Sequence, residues 1–340
     1  MLTPPDLSHD TIIATLRDQY GLRAATATFL PLGADINAFV FRVDAQDGVA
    51  YFLKLRRGEF DEIAVDVPVA LHEQGISQVM APLATLARRW WANAHSFIWL
   101  LYPFFEGHNA YYTDLSDAQW IAFGHTFRAI HDATLPPELA ARVPREDYSP
   151  RWRDVVRDLD QQVEAREWNE PYARQLAAFW LAKRSDIRAI IDRTEALAAL
   201  LRGRAVPFVL CHTDMHPANL LVGANGDLAL VDWDAPLYAP KERDVIFLGG
   251  GIGQTWRDAR EKALFYQGYG PAEIDLMAFS YYRYTRIIDD IASYGMEIFG
   301  EQSGEEDREN ALRRLTGQFL PDHVVDGAHQ TFERLPAVGH

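Results

Sequence analysis

The sequence has little of several features that would otherwise point to a class of protein. Its 340 residues contain a single cysteine, Cys211, so a disulfide within the chain is excluded. No apolar run is long enough to span a bilayer, and the first residues lack the basic and apolar regions of a signal peptide. We therefore expect a cytoplasmic protein with no membrane partner.

Basic charge is also scarce. Lysine and arginine total 33 against 48 aspartates and glutamates, which gives a net charge of −15. Because phosphate backbones are bound by basic patches, nucleic acid is not an expected partner. An acidic cleft attracts cations, so the composition favours a small cationic substrate. The length allows two domains with sizeable cores, and nothing in the composition indicates an oligomeric state.

Among the features that are present, a predicted β-hairpin stands out. Two apolar runs, residues 220–222 and 228–231, are joined by a turn that contains Asn-Gly. Asp214 and Asn219 precede the first run, and Asp232 follows the second. We therefore expect these three polar side chains to converge at one end of the hairpin.

The spacing of these residues indicates phosphoryl transfer. That reaction needs a carboxylate to orient the attacking hydroxyl, and an amide and a second carboxylate to hold Mg²⁺ on the phosphates. Asn219 follows Asp214 by five residues and Asp232 follows Asn219 by thirteen, as in the catalytic loop and metal-binding Asp of a protein-kinase-like fold. One alternative is an acidic loop in which Asp214 caps a helix.

A second alternative is a metal site of the metallohydrolase type. The pattern His212-x-Asp214-x-His216 resembles such ligand clusters. A metal site of this kind needs further ligands, and the sequence offers no other His-rich or Cys-containing cluster.

The first hundred residues predict a small antiparallel sheet. A helix over residues 8–20 is followed by strands at 27–32, 38–43 and 49–55. The loop between the first two strands lies where a kinase-like fold covers nucleotide phosphates, although it lacks the G-x-G-x-x-G pattern of protein kinases. The candidate nucleotide-binding residues of this loop are Ala34, Asp35, Ile36 and Asn37.

Lys54 is the basic residue within the third predicted strand. A lysine that points inward from this strand would contact the phosphates of ATP. Its ion-pair partner should lie on the next helix, where the candidates are Glu62, Asp66 and Glu73, and we choose Glu62. Pro68 complicates that helix because proline removes a backbone hydrogen bond, so the helix is either kinked there or begins near residue 67.

A strand over residues 97–102 ends at a predicted hinge, where the carbonyl of Pro103 and the N–H of Phe105 would bind an adenine edge. We place a domain boundary there, with a nucleotide-binding lobe at residues 1–103 and a catalytic and substrate-binding lobe at 104–340. The predicted fold class is α+β and protein-kinase-like. It consists of a small antiparallel sheet with a helix and a larger, mainly helical lobe.

With these motifs, the sequence resembles the aminoglycoside phosphotransferases, which are antibiotic kinases with a protein-kinase-like fold. The family motif His-x-Asp-x-x-x-x-Asn reads here as residues 212–219, and the Asp after a short hairpin is Asp232. The likeness extends over about residues 8–320. It is carried further by residues 32–38, 232–244, 247–251, 280–284 and 289–292.

The resemblance implies transfer of the γ-phosphate of ATP to a hydroxyl of an aminocyclitol antibiotic, spectinomycin in particular. Asp214 would deprotonate that hydroxyl, and His212 would brace the loop, which Asp244 would anchor from below. Asn219 and Asp232 would bind Mg²⁺, and Lys54 would hold the phosphates. Two other hypotheses are a choline or homoserine kinase of the same fold and a catalytically inactive kinase-like binding protein.

Spectinomycin carries two methylamino groups that are positively charged near neutral pH. Carboxylates pair with ammonium groups, and aromatic faces attract them. The candidate substrate-binding residues are Asp234, Tyr281, Tyr282, Asp289 and Asp290.

Overall fold

The computed structural model describes residues 4–32, 37–250, 255–300 and 304–336. The chain forms two compact units. The first is Met1–Pro144 with Pro217–Pro236, and the second is Arg145–His216 with Leu237–His340. The predicted boundary at residue 103 stays a prediction. Within the described ranges, no helix is long and apolar enough to cross a membrane.

The helices and strands are numbered in chain order. They are α1 (His9–Tyr20), β1 (Ala24–Leu30), β2 (Ala38–Ala45), β3 (Ala50–Arg56), α2 (Ile63–Glu73), β4 (Ala92–Ala94), β5 (Phe97–Pro103), β6 (Gly107–Asn109), α3 (Asp117–Asp132), α4 (Pro137–Ala140), α5 (Arg151–Ala165), α6 (Pro171–Arg202), β7 (Val209–Cys211), a 3₁₀ turn (Pro217–Asn219), β8 (Leu220–Gly223), β9 (Leu228–Leu230), β10 (Leu237–Ala239), α7 (Glu242–Val245), α8 (Ala259–Tyr269), α9 (Leu276–Phe299), α10 (Glu305–Gly317) and α11 (Val324–Glu333).

The first unit is built on a five-stranded antiparallel sheet with the strand order β1-β2-β3-β5-β4. Alternate residues of a strand point to opposite faces. Leu53 and Leu55 are fully buried on the face that packs against Ile12 and Leu16 of α1. Lys54 lies between the two leucines in β3 and therefore belongs to the other face, as the sequence pattern predicted for an inward-pointing lysine.

A second, smaller sheet of the first unit joins β6, β8 and β9 in that order. In the β8–β9 hairpin, Leu220 lies opposite Leu230 and Val222 lies opposite Leu228. The hairpin is therefore confirmed. The N–H groups of Met80 and Leu230 donate to Leu230 and Gln78 carbonyls, respectively, and fasten β9 to the segment after α2.

The second unit is mainly helical, and α9 is its central element. Helices α5, α6, α7, α10 and α11 all contact α9. Buried residues occur on most sides of this 24-residue helix, which is rich in tyrosine and isoleucine. A helix that is apolar on most sides is expected in a protein core. The short strands β7 and β10 pair antiparallel beside this helical core.

Local signals in the sequence placed several helix ends correctly. Ser8 caps α1 by accepting the N–H of Thr11, and Gly21 ends that helix in the left-handed conformation at φ +68°. A capping box of Ser116 and Gln119 begins α3. Helix α2 begins at Ile63 and continues through Pro68, so the alternative start near residue 67 is wrong.

We expect Gly107→Ala to destabilise the small sheet. A Cβ at position 107 would lie 2.4 Å from the carbonyl oxygen of Val222 and 2.7 Å from the Phe105 ring, so backbone or ring must shift. Overpacking of this kind costs about 1–3 kcal/mol. Thermal unfolding would measure the lower midpoint. Gly317→Ala in α10, where no atom lies within 4 Å of the new Cβ, is the matched control. Equal midpoints for the two variants would contradict the close approach.

Candidate active site

The polar loop after β7 is held by a buried carboxylate of the same unit. Asp244 accepts hydrogen bonds from the backbone N–H of His212 at 2.9 Å and of Thr213 at 2.6 Å. Thr213 has φ +79°, a left-handed conformation that a β-branched residue rarely adopts. Strained backbone of this kind persists where the surrounding structure enforces it, commonly at functional sites. Asp244 therefore fixes the loop, the role that the resemblance implied for it.

Asp214 follows this strained residue directly. Its backbone N–H donates to Nδ1 of His212 at 3.3 Å, and the bracing role of His212 stays a prediction. Its carboxylate Oδ1 lies 2.5 Å from Nη1 of Arg286, and Oδ2 lies 3.5 Å from Nε2 of His216. The side chain is 43% exposed, so it is accessible to a ligand despite these neighbours.

The hairpin of the first unit brings together the two predicted magnesium ligands. Asn219 ends the 3₁₀ turn before β8, and its carbonyl accepts the N–H of Val231 at 3.0 Å. Asp232 follows Val231 and has φ +66°. The backbone turns sharply there, which is again rare outside glycine and asparagine. An amide and a carboxylate therefore stand at the same end of the hairpin.

Lys54 reaches this end of the hairpin from β3. Its Nζ lies 2.9 Å from Oδ1 of Asp232 and 3.5 Å from Oδ1 of Asp234. Burial alone would lower the pKa of Lys54, but the two carboxylates outweigh it and raise the pKa above its ordinary value. Arg56, two residues on, pairs with Asp234 at 3.3 Å. Lys54 is thus a charged ammonium group held beside the predicted metal ligand.

The model of the phosphotransferase enzyme family matches residues 28–279. A solved spectinomycin phosphotransferase, in complex with ADP and spectinomycin, is 33% identical with a TM-score of 0.90 over 96% of this chain and 99% of its own. Protein StrN of Streptomyces griseus is 25% identical over 272 residues, 76% of each chain. The choline kinase of Streptococcus pneumoniae, 14% identical with a TM-score of 0.55 over 90% of this chain and 98% of its own, shares only the fold.

The chain belongs to the phosphotransferase enzyme family.

The kinase-like α+β fold predicted from the sequence is therefore confirmed, and with it the enzyme class. Glu62 was predicted to pair with Lys54, and this prediction is wrong. Lys54 pairs with hairpin carboxylates instead, whereas Glu62 lies 3.8 Å from Arg142, which also binds Asp66 at 2.7 Å. Helix α2 begins after Glu62, so this side chain stands at the helix terminus and not within it.

Glu62 lines an open pocket of about 670 Å³ in the first unit. Four carboxylates and two guanidinium groups are among its lining residues, which leaves an acidic excess. The lining comprises Arg56, Glu59, Phe60, Asp61, Glu62, Ala64, Arg142 and Asp234.

The predicted nucleotide contacts are only partly within the described chain. Ala34, Asp35 and Ile36 lie outside the described residues. The carbonyl of Asn37 accepts the N–H of Arg57 at 2.9 Å. Pro103 ends β5 opposite Tyr51, and Phe105 is half-buried between β5 and β6. Their roles in nucleotide binding stay predictions.

The predicted substrate contacts of Tyr281 and Tyr282 are wrong. They are 2% and 0% exposed, because α9 is surrounded by helices at this point. Tyr281 packs edge-on against Tyr148 with ring centroids 5.3 Å apart. The Arg243 guanidinium lies 5.3 Å from the centroid of the Tyr282 ring, which therefore already contacts a cation of the protein itself. Aromatic residues at helical spacing are core here.

The predicted substrate carboxylates have internal surroundings as well. Asp290 pairs with Arg286 at 3.2 Å, one helical turn earlier in α9. Asp289 has a buried Oδ1 that accepts no hydrogen bond from any residue that the structure describes. Burial raises the pKa of Asp289 to about 7, opposed by Arg243 and Arg286 and assisted by Asp290 and Glu146. Asp234 is engaged by Lys54 and Arg56, so its role in substrate binding stays a prediction.

Two site residues were missed from the sequence. Arg286 and His216 both approach the Asp214 carboxylate, yet neither was predicted to do so. The spacing of Arg286 and Asp290 by four residues on one helix was a signal of an ion pair. No local pattern indicated that the pair would meet a loop more than seventy residues earlier in the sequence.

We expect Asp289→Asn to raise the free energy of unfolding relative to the wild type, by an amount that grows as the pH rises from about 4 to 7. The folded-state pKa of about 7 exceeds the ordinary value of 3.8, so this carboxyl destabilises the fold as the unfolded chain ionises and the folded one does not. Urea unfolding of variant and wild type at pH 5 and pH 8 measures the difference. Asp10→Asn, at a fully exposed position of α1, controls for the loss of one charge. An equal difference at both pH values would contradict the raised pKa.

Proposed function

We propose that this protein transfers the γ-phosphate of ATP to a hydroxyl of spectinomycin or a close aminocyclitol relative, and so gives resistance to the antibiotic. The observation that carries the proposal is the likeness, over nearly the whole of both chains, to a spectinomycin phosphotransferase solved with ADP and spectinomycin. A second structure of spectinomycin phosphotransferase, bound to AMP, is 31% identical with a TM-score of 0.84. Nucleotide use is therefore part of the proposal.

Asp214 is proposed as the base. Its carboxylate accepts the proton of the substrate hydroxyl as that oxygen bonds to the γ-phosphorus and the bond to ADP breaks. The strained turn at Thr213 and the bond from the Asp214 N–H to His212 support this role, since they fix the position of the residue. A base that is held in place loses little freedom when the substrate binds.

Asn219 and Asp232 are proposed to hold Mg²⁺. Both offer hard oxygen donors at one end of the hairpin, which suits a cation that prefers oxygen ligands. The ion would neutralise charge on the phosphates of ATP. Lys54, whose ammonium group already lies 2.9 Å from Asp232, is proposed to contact the same phosphates.

A cationic substrate is supported by charge. The protein carries a net charge of −15, and the pocket of the first unit has more carboxylates than guanidinium groups. The negative electrostatic potential of such a surface raises the local concentration of a positively charged antibiotic. Choline is also a cation, so charge alone does not separate the two substrate classes.

The metabolic alternative has weaker support. Choline, ethanolamine and aminopropanol kinases share the fold at 13–14% identity, which carries no information on substrate. An inactive binding protein is disfavoured because Lys54, Asp214, Asn219 and Asp232 are all present. No observation favours either alternative over the antibiotic kinase.

We expect spectinomycin to elicit the highest rate of ADP formation among candidate acceptors. Purified protein with Mg²⁺ and ATP would be assayed against spectinomycin, streptomycin, kanamycin, choline and homoserine. Phosphorus NMR of the product would verify a new phosphate monoester. Cells that express the protein should grow in spectinomycin and remain sensitive to kanamycin.

The matched control is Asp214→Asn, which keeps the size of the side chain and removes the base. It should lose about 10²–10⁴-fold in rate. Phosphorylation of choline or homoserine without turnover of spectinomycin would refute the antibiotic substrate and leave the kinase standing. Nucleotide binding without turnover of any acceptor would refute the enzyme.

We also expect Asp232→Asn to reduce the effect of Mg²⁺ on nucleotide binding, because an amide is a weaker ligand than a carboxylate for a hard cation. Calorimetry with ATP, in the presence and absence of Mg²⁺, measures that effect. Asp227→Asn, at an exposed position in the turn of the same hairpin, should behave as the wild type. An unchanged Mg²⁺ effect in Asp232→Asn would show that the metal is held elsewhere.

A further inference from the structure

Arg286 lies at the middle of α9 and connects two carboxylates of the second unit. Nη1 contacts Oδ1 of Asp214 at 2.5 Å, and Nε lies 3.2 Å from Oδ1 of Asp290. The Arg286 side chain is 23% exposed and Asp290 is 20% exposed, so the contact between them is better shielded from water than the contact with Asp214. Ion pairs that are shielded from water are screened less than those at the surface. Arg286 therefore links the proposed base, Asp214, to the central helix α9 through an ion pair.

The far side of this contact is also fixed. Oδ2 of Asp290 accepts a hydrogen bond from Nε2 of Gln318 at 3.1 Å. Gln318 is 8% exposed and stands at the end of α10, which packs against α9. Asp290 is thus held between two donors, and it cannot rotate away from Arg286 without losing one of them.

An aromatic ring completes the surroundings of Asp214. The Arg286 guanidinium lies 5.5 Å from the centroid of the Phe247 ring, and the His216 ring meets the same ring edge-on at 5.9 Å. Phe247 is 1% exposed. The Arg286 guanidinium contacts Oδ1 of Asp214, and the His216 imidazole lies near Oδ2. Both groups therefore pack against the same buried side chain, Phe247.

We propose that Arg286 is a positioning residue that sets the orientation of the Asp214 carboxylate for proton abstraction, and that Asp290 and Gln318 hold Arg286 in place for this purpose. The inference rests on the proposed function. It gives Asp290 an internal role in place of the substrate contact predicted from the sequence.

The geometry favours arginine over lysine at this position. The planar guanidinium presents donors on Nη1 and Nε at a fixed angle, which matches two carboxylates on different sides. A lysine ammonium is a single point charge at the end of a flexible stem, and it would satisfy one carboxylate better than two. Arg286→Lys therefore separates the loss of geometry from the loss of charge.

The test compares Arg286→Lys, Arg286→Met and Arg286→Ala with the wild type in steady-state kinetics with spectinomycin and Mg-ATP. We expect kcat of Arg286→Met to fall by about 10²-fold, as a misplaced catalytic group does, with KM for ATP unchanged. Arg286→Lys should recover part of the loss. Guanidinium chloride should restore part of the activity of Arg286→Ala, whereas sodium chloride at equal ionic strength should not.

A purely structural role predicts a different pattern. Arg193→Lys is the matched control, because Arg193 also donates to a residue of α9, the Tyr284 hydroxyl, and has His329 as its other partner. It should lower the unfolding midpoint with little effect on kcat of the folded protein. A double-mutant cycle with Asp214→Asn and Arg286→Met, followed by urea unfolding without substrate, should reveal a coupling free energy between the two residues.

The outcomes separate this inference from the proposed function. Turnover by the wild type with an unchanged kcat in Arg286→Met would overturn the positioning role and leave the function standing. Loss of kcat without guanidinium rescue and without coupling to Asp214 would assign Arg286 to stability alone. A wild-type protein with no turnover of spectinomycin or any other acceptor would overturn both.

Discussion

The buried carboxylate of Asp244 is the constraint on which the loop of the second unit depends. Two consecutive backbone N–H groups, of His212 and Thr213, donate to it, and such charge-assisted bonds are about twice as strong as neutral ones. They offset the strain of a left-handed threonine, which fixes the direction in which Asp214 leaves the loop. The contacts of Asp214 with His212, His216 and Arg286 all follow from that direction.

Charge compensation is the second theme of the candidate site. Asp232 and Asp234 pair with Lys54 and Arg56 in the first unit, and Asp214 and Asp290 share Arg286 in the second. Removal of one partner would leave the other charge partly buried and unpaired, which is costly. Each of these carboxylates thus has an internal cation as a partner.

Local patterns in the sequence predicted what local physics decides. Turn chemistry predicted the β8–β9 hairpin, apolar spacing predicted a helix that closely matches α1, and the third predicted strand, which holds Lys54, corresponds to β3. Sequence patterns failed to predict contacts that are decided by segments distant in the sequence. The partner of Lys54 was expected on the next helix, but charge alone does not distinguish Glu62 from the hairpin carboxylates, and only the tertiary fold brings the hairpin to β3. Tyr281 and Tyr282 could not be assigned to core or cleft because helical spacing does not reveal which neighbours cover α9.

The ion pair between Lys54 and Asp232 has a consequence for the order in which ligands associate. Without nucleotide, a free divalent cation would have to compete with the ammonium group for the same carboxylate at 2.9 Å. If Asp232 holds Mg²⁺ and Lys54 contacts the phosphates, as proposed above, a nucleotide would supply phosphate oxygens to which the lysine could transfer, and that exchange would leave the carboxylate for the metal. Linkage makes the effect reciprocal, so each ligand strengthens the binding of the other by the same factor. On the proposed roles of the two residues, the pair would couple the two binding events, so that metal and nucleotide bind together more favourably than either does alone.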